Sequence, residues 1–110
     1  IEMEHQPYFM FASFPGGIEN LMKLVANVTK YPEDAWKQKA EGRVILRFVV
    51  DEEGKMTHPQ ILQSVRYDID KEAIRAFEAI ADVYRWSPGY QDGEAKRVKF
   101  TIPLYFRIPK

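Results

Sequence analysis

Residues 98 to 108, near the C-terminus, alternate without a fault. Val98, Phe100, Ile102, Leu104, Phe106 and Ile108 are apolar. Lys99, Thr101, Tyr105 and Arg107 are polar or amphipathic, and Pro103 sits among them. A period of two places all the apolar side chains on one face of a strand. The proline narrows the assignment further. It has no N–H to give to a ladder, so within a sheet it belongs on an edge strand or at a bulge. The segment therefore reads as a long, half-buried strand with one side of its backbone unpaired. Such an edge is a liability unless something uses it.

The rest of the chain must cover that strand. At 110 residues it is one domain of ordinary size. A chain of this length buries roughly 65% of the surface its unfolded form exposes, enough for a core without staples. Its 45% hydrophobic and 14% aromatic content supplies that core. There are no cysteines, which excludes disulfides and thiolate metal sites. Sixteen basic and sixteen acidic residues cancel, and no charge block forms the basic stripe that nucleic-acid binding needs. No apolar run approaches the roughly 18 residues that cross a membrane, and no signal peptide is present. Position 1 is Ile rather than Met, so the chain is expected to be an excised piece of a longer protein, with any anchor or export signal upstream.

Residues 1–13 carry no clear period. Tyr8, Phe9, Met10 and Phe11 suit either a short packed strand or an aromatic lead-in. Phe14-Pro15-Gly16-Gly17 is a turn, and the domain proper is expected over 14–110. Ile18, Leu21, Met22, Leu24, Val25 and Val28 recur at helical spacing and predict a helix over about 18–29. Tyr31-Pro32 breaks it. Pro32 suits the first position of a short helix, with Glu33 and Asp34 in its first turn and Gly42 as its C-terminal cap. Val44, Leu46, Phe48 and Val50 define the next strand, and Ile45 and Val49 on its other face suggest a central position. Asp51-Glu52-Glu53-Gly54 is a hairpin loop with Gly at a positive φ. The return strand runs from Met56 to about Val65, interrupted by Pro59. Asp70 is placed to cap the next helix, whose stripe is Ala73, Ile74, Phe77, Ile80, Ala81 and Tyr84. Trp86-Ser87-Pro88-Gly89 stops it, and Asp92-Gly93 turns the chain into the final strand.

The two strand prolines order the sheet. Pro59 and Pro103 mark strands two and three as edges and leave strand one, Arg43 to Asp51, between them. The expected fold is α+β: a three-stranded antiparallel sheet of order 2-1-3, packed on one face by two main helices and a short one.

Little in the chain suggests catalysis, and an enzyme is not expected. The two histidines, His5 and His58, lie in unrelated segments without a ligand pattern, and no bound metal or cofactor is expected. Ser64 lacks elbow glycines and Ser87 sits in a turn. Asp68, Asp70 and Glu72 are explained by first-turn preference. Gly16-Gly17 and Gly54 are turns rather than a phosphate loop. Lys96, Arg97 and Lys99 form a small basic cluster, either a solvated face or a contact for an acidic peptide. Trp36 and Trp86 read as core or staple residues.

Taken in order, a series of marks runs along nearly the whole chain. It begins with Phe14-Pro15-Gly16-Gly17, Tyr31-Pro32, and Ala35 followed by Gly42-x-Val44. It continues with Phe48-Val49-Val50-Asp51 and Gly54, Ser64, and Asp70-x-Glu72-Ala73-x-Arg75. It ends with Trp86-x-Pro88-Gly89, Gly93 and Phe100-x-Ile102-Pro103-Leu104-x-Phe106. No single element is specific, but the full set at this spacing resembles the C-terminal domain of TonB-type energy transducers, in the form common in Bacteroidetes. The resemblance implies a periplasmic domain on a protein anchored in the inner membrane. Such domains bind the TonB-box peptide of outer-membrane transporters and are coupled to an ExbB/ExbD-type proton-driven complex. Family members capture the box with the last strand of the sheet. This domain also occurs attached to sensor-transducers with an intramembrane metallopeptidase part, which makes an extracytoplasmic sensor domain the alternative.

The backbone parity of the last strand names the residues. Pro103 cannot donate, so its side is expected to be the free one. The backbones of Lys99, Thr101, Tyr105 and Arg107 then face outward, towards a peptide, and those of Phe100, Ile102, Leu104 and Phe106 pair inward. A bulge at Pro103 would switch that parity. A free edge also invites a strand-exchanged homodimer.

Overall fold

A computed structural model describes residues 9–109. Along the chain they form β1 (Phe9–Met10), α1 (Gly17–Val28), α2 (Glu33–Lys37), β2 (Gly42–Val50), β3 (Met56–Gln63), α3 (Tyr67–Ala81), β4 (Gly89–Gln91), β5 (Glu94–Lys96) and β6 (Val98–Phe106). The main sheet is antiparallel with the order β3-β2-β6, the arrangement the two prolines demand. A second, small sheet of order β1-β4-β5 does not follow from the sequence pattern. Its strands are two or three residues long, too short to show a period. It ties the lead-in to the segment after α3, and Ser13 and Ser87 exchange backbone hydrogen bonds beside it.

One face of the main sheet makes the core. Val44, Leu46, Phe48 and Val50 from β2 and Ile102, Leu104 and Phe106 from β6 are buried there. Leu21 and Val25 from α1 and Ile69, Ala73, Phe77 and Ile80 from α3 cover them. Each such side chain contributes about 1.5–3 kcal/mol on burial. The Phe48 ring lies 5.3 Å from Phe77 and 5.9 Å from Phe100 between centroids. Trp86, after α3, is 4% exposed and joins this cluster, 4.6 Å from Phe100 and 5.6 Å from Phe14. Trp36 is 48% exposed and rests edge-on against Tyr31, so only one of the two tryptophans is a core residue.

Several local expectations are corrected. The short helix ends at Lys37, and Gly42 opens β2 instead of capping that helix. Lys39 takes the left-handed turn there, with φ 54°. The glycine at 42 is needed for room, since a Cβ would lie 2.8 Å from a Val65 methyl. The long helix begins at Tyr67, with Arg66 rather than Asp70 at its N-cap. Asp70 lies within the first turns and reaches back, its carboxylate accepting from the Val65 N–H at 3.0 Å and from the Ser64 hydroxyl. The earlier start adds Ile69 to the buried stripe. Asp92-Gly93, with φ 53° and 85°, closes the β4–β5 hairpin, and the final strand starts only at Val98. Two positive φ values at the centre of a two-residue loop are what the right-handed twist of a hairpin requires. Pro59 sits in a register break: Arg47 pairs with Gln60 and Val49 with Thr57, so Phe48 faces two residues, His58 and Pro59.

A polar clamp fastens α1 to α3. Glu72 accepts from the Lys30 N–H at 2.6 Å and from Arg75 at 2.7–2.8 Å, and Arg75 donates to the Val28 carbonyl at the end of α1. Burial acts to raise the Glu72 carboxyl, but the Arg75 guanidinium and the Lys30 N–H outweigh it and hold it below its ordinary value. A carboxylate whose folded value is depressed stabilises the fold above its unfolded pKa. That contribution is lost as pH falls through the folded value. The stability gap between the parent chain and Glu72→Gln should thus be widest near neutral pH and should shrink below the ordinary carboxylate range. Urea midpoints measured from pH 7 to pH 3 check this, and a gap independent of pH would mean that the clamp is not ionic.

Candidate functional site

β6 is an edge, and its outer side has no strand partner among the described residues. Its register with β2 runs unbroken over nine pairs, from Gly42 with Phe106 to Val50 with Val98. Pro103 faces Ile45 within that ladder. No bulge occurs at the proline, so the parity does not switch along the strand. Three contacts fix which way it runs. The Arg43 carbonyl accepts from the Gln63 side chain at 3.1 Å, and the Val49 carbonyl accepts from the Thr57 hydroxyl at 3.3 Å. Both carbonyls are turned towards β3, away from their β6 partners Tyr105 and Lys99. At the other end the Ile108 N–H donates to Glu41, beside the start of β2, at 2.8 Å. Residues of a strand alternate sides, so even-numbered N–H groups point inward and odd-numbered ones outward. A proline at an odd position leaves the β2–β6 ladder whole.

Lys99, Thr101 and Tyr105 lie on β6 with exposed side chains. Arg107 lies one residue past its end, with its guanidinium 4.6 Å from the Tyr105 ring centroid. The four residues share one row. Their side chains rise from the face of the sheet that the helices leave bare, and their backbones line the free edge.

The outer side of β6 is also flanked by apolar hollows that the residue pattern does not reveal. One, of about 520 Å³, is lined by Phe14, Ile18, Met22, Trp86, Ile102 and Pro103 among others. A second, of about 330 Å³, continues it past Met22 and Pro103 to Val25, Ala26, Leu104 and Tyr105. Together they form a trough between α1 and the edge of β6. The available signal is the width of the α1 stripe. Ile18 belongs to its apolar spacing yet stays 50% exposed, because the stripe is broader than the sheet beneath it.

The acidic residues at the start of α3 have structural roles. Asp68 pairs with Arg66 at 2.7 Å, and Asp70 and Glu72 hold the contacts described above. His58 is exposed on β3, and His5 lies outside the described residues. Among the described residues no three His, Asp or Glu side chains are grouped as metal ligands, and no helix is long and apolar enough to cross a membrane.

Comparison with known proteins agrees with this architecture. The fold is similar to the solution structure of the Helicobacter pylori TonB C-terminal domain, with a TM-score of 0.69 and 16% identity over 84% of this chain and 81% of that one. A shorter form of the same domain gives 0.62 and 17%, over 81% and 90%. The Pseudomonas aeruginosa TonB C-terminal domain is 29% identical, with a TM-score of 0.56, over 74% of this chain and 80% of that one. No curated protein matches the chain. The model of the Gram-negative bacterial TonB protein C-terminal family matches residues 27–108, from the end of α1 to just beyond β6, and the chain belongs to that family.

Proposed function

We propose that this chain is the receptor-engaging domain of a TonB-like energy transducer, and that it captures the TonB-box peptide of an outer-membrane transporter by adding it as a strand to β6. TonB C-terminal domains are periplasmic interaction domains of Gram-negative bacteria, not enzymes, and engage outer-membrane transporters. In this reading residues 14–110 are the module, with Phe9–Met10 and Ser13 of the lead-in tied to it through the small sheet, and it belongs to a protein anchored in the inner membrane and driven by an ExbB/ExbD-type complex. The observation that carries the reading is the unpaired outer edge of β6, nine residues long and free of bulges towards β2. Strand addition draws affinity from main-chain hydrogen bonds and selectivity from side-chain pockets. Lys99, Thr101 and Tyr105 offer N–H donors, and Arg107 extends the row. Pro103 leaves a gap in donors but keeps its carbonyl.

Four ladder bonds at about 1 kcal/mol net give roughly 4 kcal/mol. Association costs about 4 kcal/mol or more. The ladder alone does not hold a peptide, and side chains filling the trough along α1 must add the rest. A weak, reversible complex follows, which suits a coupling that is made and broken. A second copy of the chain competes for the same edge.

Amide exchange with and without a TonB-box peptide tests the reading. The amides of Lys99, Thr101, Tyr105 and Arg107 should gain protection, with β3 unchanged. Thr101→Pro should weaken peptide binding with little loss of fold, because it removes one outward donor. Protection confined to β3 or to the helices would reject capture at this edge.

A further inference from the structure

The bare face of the main sheet is electrostatically one-sided. β2, β3 and β6 contain no Asp or Glu, although the chain as a whole carries sixteen acidic residues against sixteen basic ones. Cations are what rise from that face. Arg47 pairs with Thr101 and Val49 with Lys99, so Arg47 and Lys99 are diagonal neighbours. Diagonal neighbours lie about 7 Å apart at their Cβ atoms, within reach of a single ligand for side chains this long. They wall a hollow of about 360 Å³ together with Arg97, His58 and Gln60, over a floor at Val49. His58 stands in the β3 register break with φ 53°.

Two contacts bear on how open these groups are to a ligand. Arg47 donates to Gln60 at 2.8 Å, which orients the guanidinium without neutralising it. Arg97 faces Glu52 at 3.7 Å with both side chains about half exposed. Exposed pairs of that kind contribute between nothing and about 1 kcal/mol, so a better-matched anion displaces Glu52. Asp51 also lies near Arg97, but its carboxylate accepts from the Glu53 and Lys55 N–H groups of its own loop. Lys99 has no carboxylate partner among the described residues. Placing like charges side by side on a sheet is unfavourable by itself, and an anion bound between them removes that repulsion.

We propose that this hollow binds a phosphate group. Two guanidinium forks and an ammonium match an oxyanion that carries more than one charge and several acceptor oxygens. A single carboxylate would leave cations uncompensated. At about 360 Å³ its size is at the lower end for a small-ligand site. The phosphate could belong to a soluble compound or to a phospholipid headgroup, and the chemistry at the site is the same.

The experiment is a titration of the isotope-labelled chain with inorganic pyrophosphate at constant ionic strength, followed by amide shifts, and sedimentation with phosphatidylglycerol or phosphatidylcholine vesicles. Saturable shifts at Val49, His58 and Lys99 are expected. Arg47→Gln and Lys99→Gln should each weaken binding about ten-fold, as loss of one charge-assisted contact does. Melting curves confirm that these exposed or half-exposed variants fold. Pyrophosphate binding without vesicle binding assigns a soluble ligand. Sedimentation with phosphatidylglycerol but not phosphatidylcholine vesicles, accompanying the pyrophosphate shifts and lost in both variants, assigns a headgroup. Absence of saturable shifts, shifts that the variants leave intact, or binding of a polyglutamate peptide in place of pyrophosphate would overturn the proposal. Arg47 lies on neither the free edge nor the trough, so peptide capture and phosphate binding fail independently.

Discussion

Trp86→Ala should destabilise the domain by about 3–5 kcal/mol, as truncations of large core side chains do. The indole is 4% exposed and packs against Phe14, Phe48 and Phe100, rings that come from three separate segments. Removing it leaves a cavity that β2, β6 and the Phe14 turn cannot all close into at once. For a domain of this size the loss lowers the melting temperature by roughly 12 °C or more. Against an ordinary stability of about 5–15 kcal/mol it comes close to unfolding the chain. Trp86→Phe separates volume from polarity. The buried Nε1–H has no hydrogen-bond partner among the described residues. A phenyl ring therefore keeps most of the packing and gives up no bond, and its cost should be well below that of alanine. Equal losses for Phe and Ala would show that the indole is not held by ring packing. Under the proposed strand capture the effect reaches peptide binding as well, because Trp86 forms part of the wall of the trough beside Ile102 and Pro103.

The architecture was legible wherever the chain had a long period or a residue with a backbone constraint. Eleven alternating residues, a proline among them, sufficed to place β6 on an edge, since burial on one face and the missing N–H are both local properties. The same logic placed β2 in the centre, because Ile45 and Val49 are half-buried on the face away from the helices. What the pattern did not yield depends on partners distant in sequence. The small sheet joins Phe9–Met10 to Gly89–Gln91 through two paired positions, and nothing in either segment alone specifies the other. Gly42 looked like a helix cap, but its role is set by Val65, more than twenty residues away. Asp70 has the chemistry of a cap and performs a related task, binding the Val65 N–H ahead of the helix from a position inside it. The row Lys99, Thr101, Tyr105 and Arg107 could be read from parity. The trough could not, because it is the gap left where α1 is wider than its support. The cationic hollow needed the register of β2 with β6, which no one-strand pattern contains.

Gly54→Ala should be the most damaging single-methyl change in the chain, at roughly 3 kcal/mol or more. Two costs combine. Gly54 has φ +82°, where an L side chain costs about 1–2 kcal/mol. An added Cβ would also lie 2.1 Å from the carbonyl oxygen of Trp86, a backbone atom that cannot swing aside. The β2–β3 loop must then lift, and the hydrogen bond from the Trp86 N–H to the Gly54 carbonyl, 2.8 Å, is lost with it, at about 1 kcal/mol net. Gly93→Ala isolates the first cost. Gly93 has nearly the same φ, +85°, but nothing lies within 4 Å of the Cβ it would gain. It should therefore lose only the conformational term, and the difference between the two variants in urea unfolding measures the loop contact itself. The clash involves the main chain at position 86 rather than the indole. Trp86→Ala does not remove that backbone atom, and because the two positions touch and share a hydrogen bond, the double variant should depart from the sum of the two single losses. Equal stabilities for Gly54→Ala and Gly93→Ala would mean that the loop rests on Trp86 without holding it.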